Sequence, residues 1–507
     1  MSRRWLALLV PLVFVAASAT QPAPAATTRD RVGFPNGVAV GEVTATTAVF
    51  WTRADRPAAV RLEVSRHPSF RGRDVFHRTV HTAASDDFSA HVEATGLSPA
   101  TTYFYRWRHG AETAPTGTFR TAPGVDAAAD VRFAYTGDSD GTLVNGQPAF
   151  NNFEVLDAIR AEGPDFWVYL GDTIYADSGH RTIGPAVTVD EYRDAYKVNR
   201  GYPALPGLLA GTSTYAMWDD HEVHNDFDGQ TVDPARYAAG RQAFVEWMPL
   251  TGGKLVDSSC AGDPLFRTFS WGSEVDVIVL DERSCRSADA AAICGGDLVP
   301  TLPAALRTMF GLPASPPAGC LDAIFDPRRT MLGPVQLAAF EQALLTSNAS
   351  FKLVVNEVPI QQYWALPYDR WEGYGAERND VINFIRDHGI TGVGFLTTDN
   401  HANFFNDVFI DRFTDAEPVA DEIVAGPIAT NTLQQEIINL VGPPAVAAFQ
   451  AILGIAGVGC RQLDTYAYAL VEVDANAGTA TVSLRDQTGA VLADVGDPTV
   501  PCIHAIE

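Results

Sequence analysis

Positive charge is what this chain has least of: 36 lysines and arginines stand against 61 aspartates and glutamates in 507 residues, a formal net charge of −25. A surface of that sign repels phosphodiester backbones, which excludes nucleic acid as a docked partner and leaves the charge to serve solubility. Any phosphate-bearing substrate must then be attracted locally, by cations held at a site. The CxxC spacing of a structural zinc site is absent, although six cysteines are present: Cys260, Cys285, Cys294, Cys320, Cys460 and Cys502. The apolar stretch at the start, Trp5 to Ala17, is too short for a bilayer span of about twenty residues, so no stable membrane span is expected there. No repeat of solenoid type is found. The remainder is 46% hydrophobic and 19% charged, an ordinary balance for a folded chain long enough for two or more domains.

Arg3-Arg4, the apolar Trp5 to Ala17 and the small residues Ala17-Ser18-Ala19 have the three parts of a secretory signal peptide, so residues 1–28 are expected to be a signal and linker. The paired arginines resemble a twin-arginine signal and Leu6-Ala7 depart from it, leaving the general secretory and twin-arginine routes both open. Loss of both arginines makes the charge −27. In an exported chain six cysteines suggest up to three disulfides, and nearness in sequence favours Cys285 with Cys294. The expected product is a secreted or extracytoplasmic monomer.

From about Gly33 to Pro123 short alternating segments rich in Val, Thr, Phe and Tyr are separated by Gly, Pro and Asp turns, the pattern of a small antiparallel β-sandwich. Gly96-Leu97-Ser98-Pro99-Ala100-Thr101-Thr102-Tyr103-Phe104-Tyr105, closing with Gly117-Thr118-Phe119-Arg120-Thr121, resembles the late strands of a fibronectin type III domain, and residues 30–123 are read as that unit. After the turn-rich Ala122-Pro123-Gly124 the pattern becomes α/β, and residues 129–507 form the expected second domain. Strand Val131 to Tyr135, helix Phe153 to Arg160 and strand Asp165 to Leu170 make one unit with acids just past both strand ends. Further strands are expected at Glu274–Leu280, Phe351–Val355 and Thr391–Leu396, and helices at Gln336–Leu345, Asp380–His388, Thr430–Leu440 and Ala445–Gly457. The last is nearly all apolar: a buried helix, or a lipid-facing lid. Tyr466–Val473 and Thr479–Arg485 close the chain as a β-hairpin. Residues Ser287 to Ser315, rich in Ala, Pro and Gly, read as an inserted loop over the sheet.

Acidic clusters stand at the ends of the apolar runs. Trp218-Asp219-Asp220-His221-Glu222-Val223-His224-Asn225-Asp226 is the densest, and Gly137-Asp138-Ser139-Asp140, Gly171-Asp172-Thr173-Ile174-Tyr175 and Thr398-Asp399-Asn400-His401 follow other strand-like runs. Carboxylates this close resist ionising together unless a cation sits among them, so a metal site is the economical explanation. Two metals can lower the pKa of an attacking water and clamp a phosphoryl group. A mixture of Asp138, Asp172, Tyr175, Asn225, Asp399 and His401 suits one trivalent or transition ion with one or more harder divalent ions.

These motifs, with Arg329-Thr330-Met331-Leu332-Gly333, resemble the PhoD-like alkaline phosphatase/phosphodiesterase family over nearly the whole mature chain. The resemblance implies an α/β metallophosphoesterase domain of two mixed sheets flanked by helices, behind a fibronectin-like sandwich. It also implies hydrolysis of a small-molecule phosphoester by metal-activated water or hydroxide. Carried over by motif, Asp172 would bridge the metals, Tyr175 would ligate ferric iron, Asn225 would serve calcium, and Asp399 and His401 would complete the sites. Asp138 stands where the family often has a cysteine iron ligand, which favours a harder ion there, with manganese or zinc as alternatives to iron and calcium. His221 is the candidate for protonating the leaving oxygen, its alternative being to orient Asn225. Two rivals remain: a phospholipase D-like enzyme acting on phospholipid head groups, and a non-catalytic cell-surface binding protein with structural metals. The Gly-Asn-His and Gly-His-x-His motifs of a purple acid phosphatase are absent.

Overall fold

A computed structural model describes residues 31–71 and 76–507, so the expected signal at 1–28 lies outside the described residues. The chain begins with strands β1 (Val38–Gly41), β2 (Thr47–Arg53), β3 (Ala58–Ser65), β4 (Phe76–Thr82), β5 (Ser89–Thr95), β6 (Thr102–His109), β7 (Glu112–Thr113) and β8 (Gly117–Arg120). They form two antiparallel layers, β1–β2–β5 and β4–β3–β6, the latter extended by β7 and β8 on β6. Phe50, Leu62, Tyr105, Trp107 and Phe119 fill the space between them. Strand β2 is buried on both faces: Phe50 turns into the sandwich, while Trp51, one residue on and therefore opposite, packs into the larger core.

Next come β9 (Val131–Thr136), the small hairpin β10 (Leu143–Val144) and β11 (Gln147–Pro148), α1 (Glu154–Glu162), β12 (Phe166–Leu170), α2 (Val189–Asn199), α3 (Ala204–Gly211), β13 (Ser213–Met217) and α4 (Pro234–Trp247). The middle of the chain supplies β14 (Arg267–Trp271), β15 (Val275–Val279), α5 (Ala304–Met309), α6 (Cys320–Ile324), α7 (Gly333–Thr346), β16 (Phe351–Asn356), α8 (Gly375–Asp387) and β17 (Val393–Thr397). It ends with β18 (Asn403–Val408), β19 (Ala420–Val424), α9 (Leu433–Val441), α10 (Pro444–Ala456), β20 (Gly459–Gln462), β21 (Ala467–Asp474), β22 (Thr479–Asp486) and β23 (Ile503–Ile506).

Two mixed sheets result, ordered β23–β22–β21–β9–β12–β13–β1–β2–β5 and β14–β15–β16–β17–β19–β18–β20. They share one core, in which Phe133, Val168 and Tyr215 of the first meet Val277, Leu353 and Leu396 of the second. On the far side of the second sheet Ile278, Val354 and Phe395 pack on Phe340, Ile382 and Ile385 of α7 and α8. Strand β15 therefore buries successive residues in different cores, as a central strand covered on both faces must.

The amino-terminal sandwich is fused to this body, since β1 pairs in parallel with β13. Across the junction Arg267 Nη1 donates to Glu42 Oε1 at 2.8 Å, and Trp51 Nε1 donates to the Glu246 carbonyl at 2.8 Å. We propose residues 30–123 and 129–507 as structural units joined by this continuous sheet.

The disulfides differ from the expected pairing. They are Cys260–Cys285, Cys294–Cys320 and Cys460–Cys502. Cys285 sits directly behind the loop that follows β15 and faces the start of α7, where a Cβ on Gly333 would come 2.8 Å from it, and Cys260 arrives at the same place. Cys294 has by then entered the inserted loop and meets Cys320 at the start of α6. Helix α10 buries only Phe449, Ile452, Leu453 and Ala456 and exposes its other face, so neither extreme expected for it holds by itself.

The Cys460–Cys502 bond closes a separation of 42 residues, which by loop entropy contributes about 4 kcal/mol. Replacing both cysteines by serine is expected to lower unfolding free energy by roughly 3–4 kcal/mol, read from the urea midpoint.

Candidate metal centre

Parallel strands deliver the acids. Strands β9, β12 and β13 run side by side in one sheet and β16 and β17 in the other, and the turns past their carboxyl ends carry Asp138, Asp172, Asp219-Asp220-His221, Glu357 and Asp399. This is where open α/β sheets place their ligands. The approach is close: a Cβ on Gly137 would lie 1.9 Å from the Leu170 carbonyl oxygen, so only glycine lets the first two turns meet. Asp138, Asp172, Asp399 and His401 all adopt left-handed backbone, with φ of +61°, +48°, +60° and +49°. Four such residues among the candidate donors are a concentration typical of functional sites, since each costs local strain.

The side chains converge in linked groups. Donor atoms of Asp138, Asp172 and His401 lie within 4.8 Å of one another, as do those of Asp172, Asp220 and His221, and those of Asp220, Asp226 and Asp369. Asp172 belongs to the first two groups and Asp220 to the last two. All but Asp138 line a polar cavity of about 890 Å³, together with Tyr175, Asn225 and Asp399.

Neighbours hold the donors in place. Tyr175 Oη is 2.8 Å from His401 Nε2, and His401 Nδ1 is 2.9 Å from Glu436 Oε1. His221 stacks on the Tyr175 ring with centroids 4.0 Å apart, and its Nδ1 lies 2.5 Å from Asp177 Oδ1. The second oxygen of Asp177 accepts from the Asn225 main-chain N–H at 2.7 Å, so one carboxylate sets both His221 and the Asn225 turn. Glu222 accepts from Thr173 and from the Asp219 N–H, tying the β12 turn to the β13 turn. The Asp399 N–H donates to Asp138 Oδ1 at 3.2 Å, while its carboxylate lies 3.9 Å from Arg283.

Electrostatically the pocket is crowded with acid. Burial raises Asp172 far above the ordinary carboxylate range, and the charges of Asp220 and Asp219 add to it. Asp399 is raised by burial and then by Asp369 and Asp220. Burial pushes Asp138 to about 6 against the pull of His401, and Asp226 to about 7 with help from Asp369 and Asp220. Burial also raises the Tyr175 hydroxyl, with Asp172 adding to the effect. His221 goes the other way from an ordinary buried imidazole: burial opposes its charge, but Asp220 and Asp177 win and raise it to about 10. The fixed counter-cation is Arg283, fully buried, which donates to Asp219 at 2.6 Å and to both oxygens of Asp369 at 2.7 and 2.8 Å.

These residues fit metal ions. Asp138 Oδ2 and Asp220 Oδ1 are buried without a hydrogen-bond partner, and buried oxygens are normally satisfied. Carboxylate, imidazole and phenol together form a donor set for hard and borderline cations.

Of the residues expected from sequence, Asp138, Asp172 and His401 fall in one group, Tyr175 abuts it and His221 stands in the next. Asn225 and Asp399 line the same cavity, Asp399 outside those carboxylate and histidine groups. Four contributors were missed. Asp220 lies inside the densest acidic run and Asp177 five residues beyond Asp172, so both carried a local signal. Asp369 and Glu436 carried none that separates them from surface charges, while Arg283, just past the Glu274–Leu280 run, reads from sequence either as a phosphate contact or as the partner of a nearby acid, and the structure pairs it with Asp219 and Asp369.

The chain matches the family model described as PhoD-like phosphatase over residues 145–482, and that of the PhoD-like phosphatase N-terminal domain over 18–123. A curated relative, alkaline phosphatase D of Bacillus subtilis (strain 168), is 28% identical over 437 residues, covering 78% of this chain and 70% of the relative. A solved structure of PhoD superposes with a TM-score of 0.75 at 23% identity, covering 95% of this chain and 90% of the other. The purple acid phosphatase PPD1 from yellow lupin seeds shares the fold at a TM-score of 0.57 and 10% identity, covering 94% and 74%.

A carboxyl whose pKa is raised by folding stabilises the fold while protonated, fully so below its unfolded value, and loses that contribution as pH rises through the folded one. For Asp138 and Asp226 the window runs from about 4 to about 6 and 7. His221 has the same sign, its contribution being complete below 6.5 and lost toward about 10. Chelator-stripped protein is therefore expected to melt at lower temperature as pH rises from 5 to 8, and added cations to raise the melting temperature more at pH 8 than at pH 5.

Proposed function

Because the chain belongs to the PhoD-like phosphatase family, we propose that it is an exported hydrolase of phosphate mono- and diesters whose pocket holds ferric iron and calcium. The observation that carries the reading is Asp172, common to two donor groups at the mouth of parallel strands. Asp138, Asp172, Tyr175 and His401 would hold one cation, and Asp172, Asp220 and Asn225 a second, with Asp399 beside them. Bound cations supply Lewis acidity, neutralising phosphoryl oxygens and lowering the pKa of water.

The chain's own groups do the rest. His221 is held by Asp177 at Nδ1, and the acids around it favour its charged form, so Nε2 is the atom that would bring a proton to the leaving oxygen. Hydrolysis joins a water oxygen to phosphorus, breaks the phosphorus–ester oxygen bond and sends the imidazolium proton to the departing oxygen, while the proton the water loses passes to solvent, from which the imidazole regains its own. Glu436 holds His401 from behind, and a carboxylate partner of this kind fixes ring orientation. Arg283 spends its donors on Asp219 and Asp369, and Arg329 donates to the carbonyls of Ala288, Ala323 and Gly373. Both are structural. The three disulfides support an extracytoplasmic setting; among the described residues no helix is long and apolar enough to cross a membrane.

The test is metal analysis of native protein with its visible spectrum, beside assays on p-nitrophenyl phosphate and bis(p-nitrophenyl) phosphate. A tyrosinate-to-iron band that disappears in Tyr175→Phe is expected, with activity reduced to background in Asp172→Asn. No bound transition metal and no hydrolysis of either ester would overturn the reading. His221→Gln is expected to slow esters of alkyl alcohols by about 10²–10⁴-fold and nitrophenyl esters far less, because nitrophenolate leaves without a proton.

A further inference from the structure

The polar cavity of about 890 Å³ is lined by eight acidic side chains and, among the described residues, by one arginine and no lysine. That arginine, Arg370, is 6% exposed. An arginine so buried is ordinarily ion-paired, yet its hydrogen bonds go to neutral groups: Nη1 donates to the Ala365 carbonyl at 3.2 Å and Nη2 to Asn400 Oδ1. A guanidinium carries five N–H donors, so the Nε–H and one hydrogen on each Nη are left over. Asn400 adds another donor at the same wall. It is 2% exposed, and its Nδ2 is buried without a hydrogen-bond partner. Because a guanidinium can only donate, Arg370 fixes the amide with its oxygen toward the arginine and its NH₂ group turned elsewhere. Buried amide donors are nearly always satisfied, so this one calls for an acceptor.

The surroundings hold the pair still. Asp369, one residue before, is taken by Arg283 and Arg286, and the Tyr363 ring lies 5.3 Å from the Arg370 guanidinium. Asn400 stands between Asp399 and His401, two of the candidate metal donors.

We infer that Arg370 and Asn400 form a clamp of protein donors for the third non-bridging oxygen of a phosphate monoester, so that the site prefers monoesters to diesters. The inference rests on the phosphoesterase reading and narrows its substrate class. A monoester phosphoryl group has three charged non-bridging oxygens; in a diester one of them is replaced by a second ester oxygen. Cations that clamp two oxygens leave the third to other donors, and a planar guanidinium fork beside an amide N–H suits an oxyanion. A diester would set there an uncharged oxygen whose substituent competes with the two side chains for space.

The test compares p-nitrophenyl phosphate with bis(p-nitrophenyl) phosphate, which share a leaving group, on the cation-loaded full chain. Arg370→Ala is expected to lower kcat/KM for the monoester by about 10²–10³-fold and for the diester far less. Asn400→Ala should act in the same direction by roughly tenfold. Added methylguanidinium should restore part of the monoester rate in Arg370→Ala. Inorganic phosphate, followed by calorimetry, should bind Arg370→Ala at least about tenfold more weakly, with metal content and melting temperature unchanged. Equal losses on both esters, or a loss that follows falling metal content, would make Arg370 a support for the 399–401 turn and overturn the inference while leaving the phosphoesterase intact. An unchanged monoester rate overturns it as well. If the unsubstituted protein hydrolyses neither ester, the phosphoesterase reading falls, and phosphate binding still decides the clamp: affinity unaltered in Arg370→Ala sinks it. Should Arg370→Ala not fold, Arg370→Lys keeps the charge and loses the fork; a monoester-selective loss supports the clamp and equal losses overturn it.

Discussion

Repulsion among buried carboxylates governs this molecule. Asp138, Asp172, Asp219, Asp220 and Asp399 are drawn to the junction of two sheets, where Arg283, Arg370 and two histidines offset part of their charge. Left alone, such a pocket favours protonated acids, and most of these have their pKa raised. A fold that keeps them together therefore does so for ligands of opposite charge. The burial and the left-handed turns both make sense as the local cost of holding donors ready for cations.

The scaffold supports that cost by over-determining each donor. The loop tips are pinned to one another, Asp399 to Asp138, His221 to Asp172, and Thr173 and Asp219 to Glu222. Behind them, two sheets share one core and helices cover the outer faces. The amino-terminal sandwich adds strands to the same sheet rather than hanging from it, and the buried Arg267–Glu42 pair and the Trp51 hydrogen bond brace that junction close to β13, the strand that leads to Asp219 and Asp220. It thus meets the site's sheet through the β1–β13 pairing and the hydrogen bonds beside it.

Much of this was legible in the residues. Alternation and apolar runs place β9, β12, β15, β16, β21 and β22 within a residue or two, because a strand's burial pattern is local, whereas β14, β18, β19 and β23 were not read as strands from the sequence. The site was legible where donors cluster along the chain, as at Trp218–Asp226 and Asp172–Tyr175. It was not legible at Asp369 or Glu436, single charges in unremarkable surroundings that become important only when α9 and the 369 turn meet the strand ends. The cysteine pairing failed for the same reason, since nine residues of separation between Cys285 and Cys294 say nothing about which partner the α7 junction brings close.

By itself the sequence determined that an all-β unit precedes an α/β one, several of the strands and helices of each, the acidic clusters and the demand for cations, all of which follow from short-range pattern and from the sign and density of charge. Only the tertiary structure decided that Asp172 and Asp220 are each shared between donor groups, that the sandwich continues the catalytic sheet, and that Arg370 and Asn400 stand together at the wall of the polar pocket. Those are relations between segments tens to hundreds of residues apart. They depend on how strands pair and how loops cross, which no local periodicity encodes.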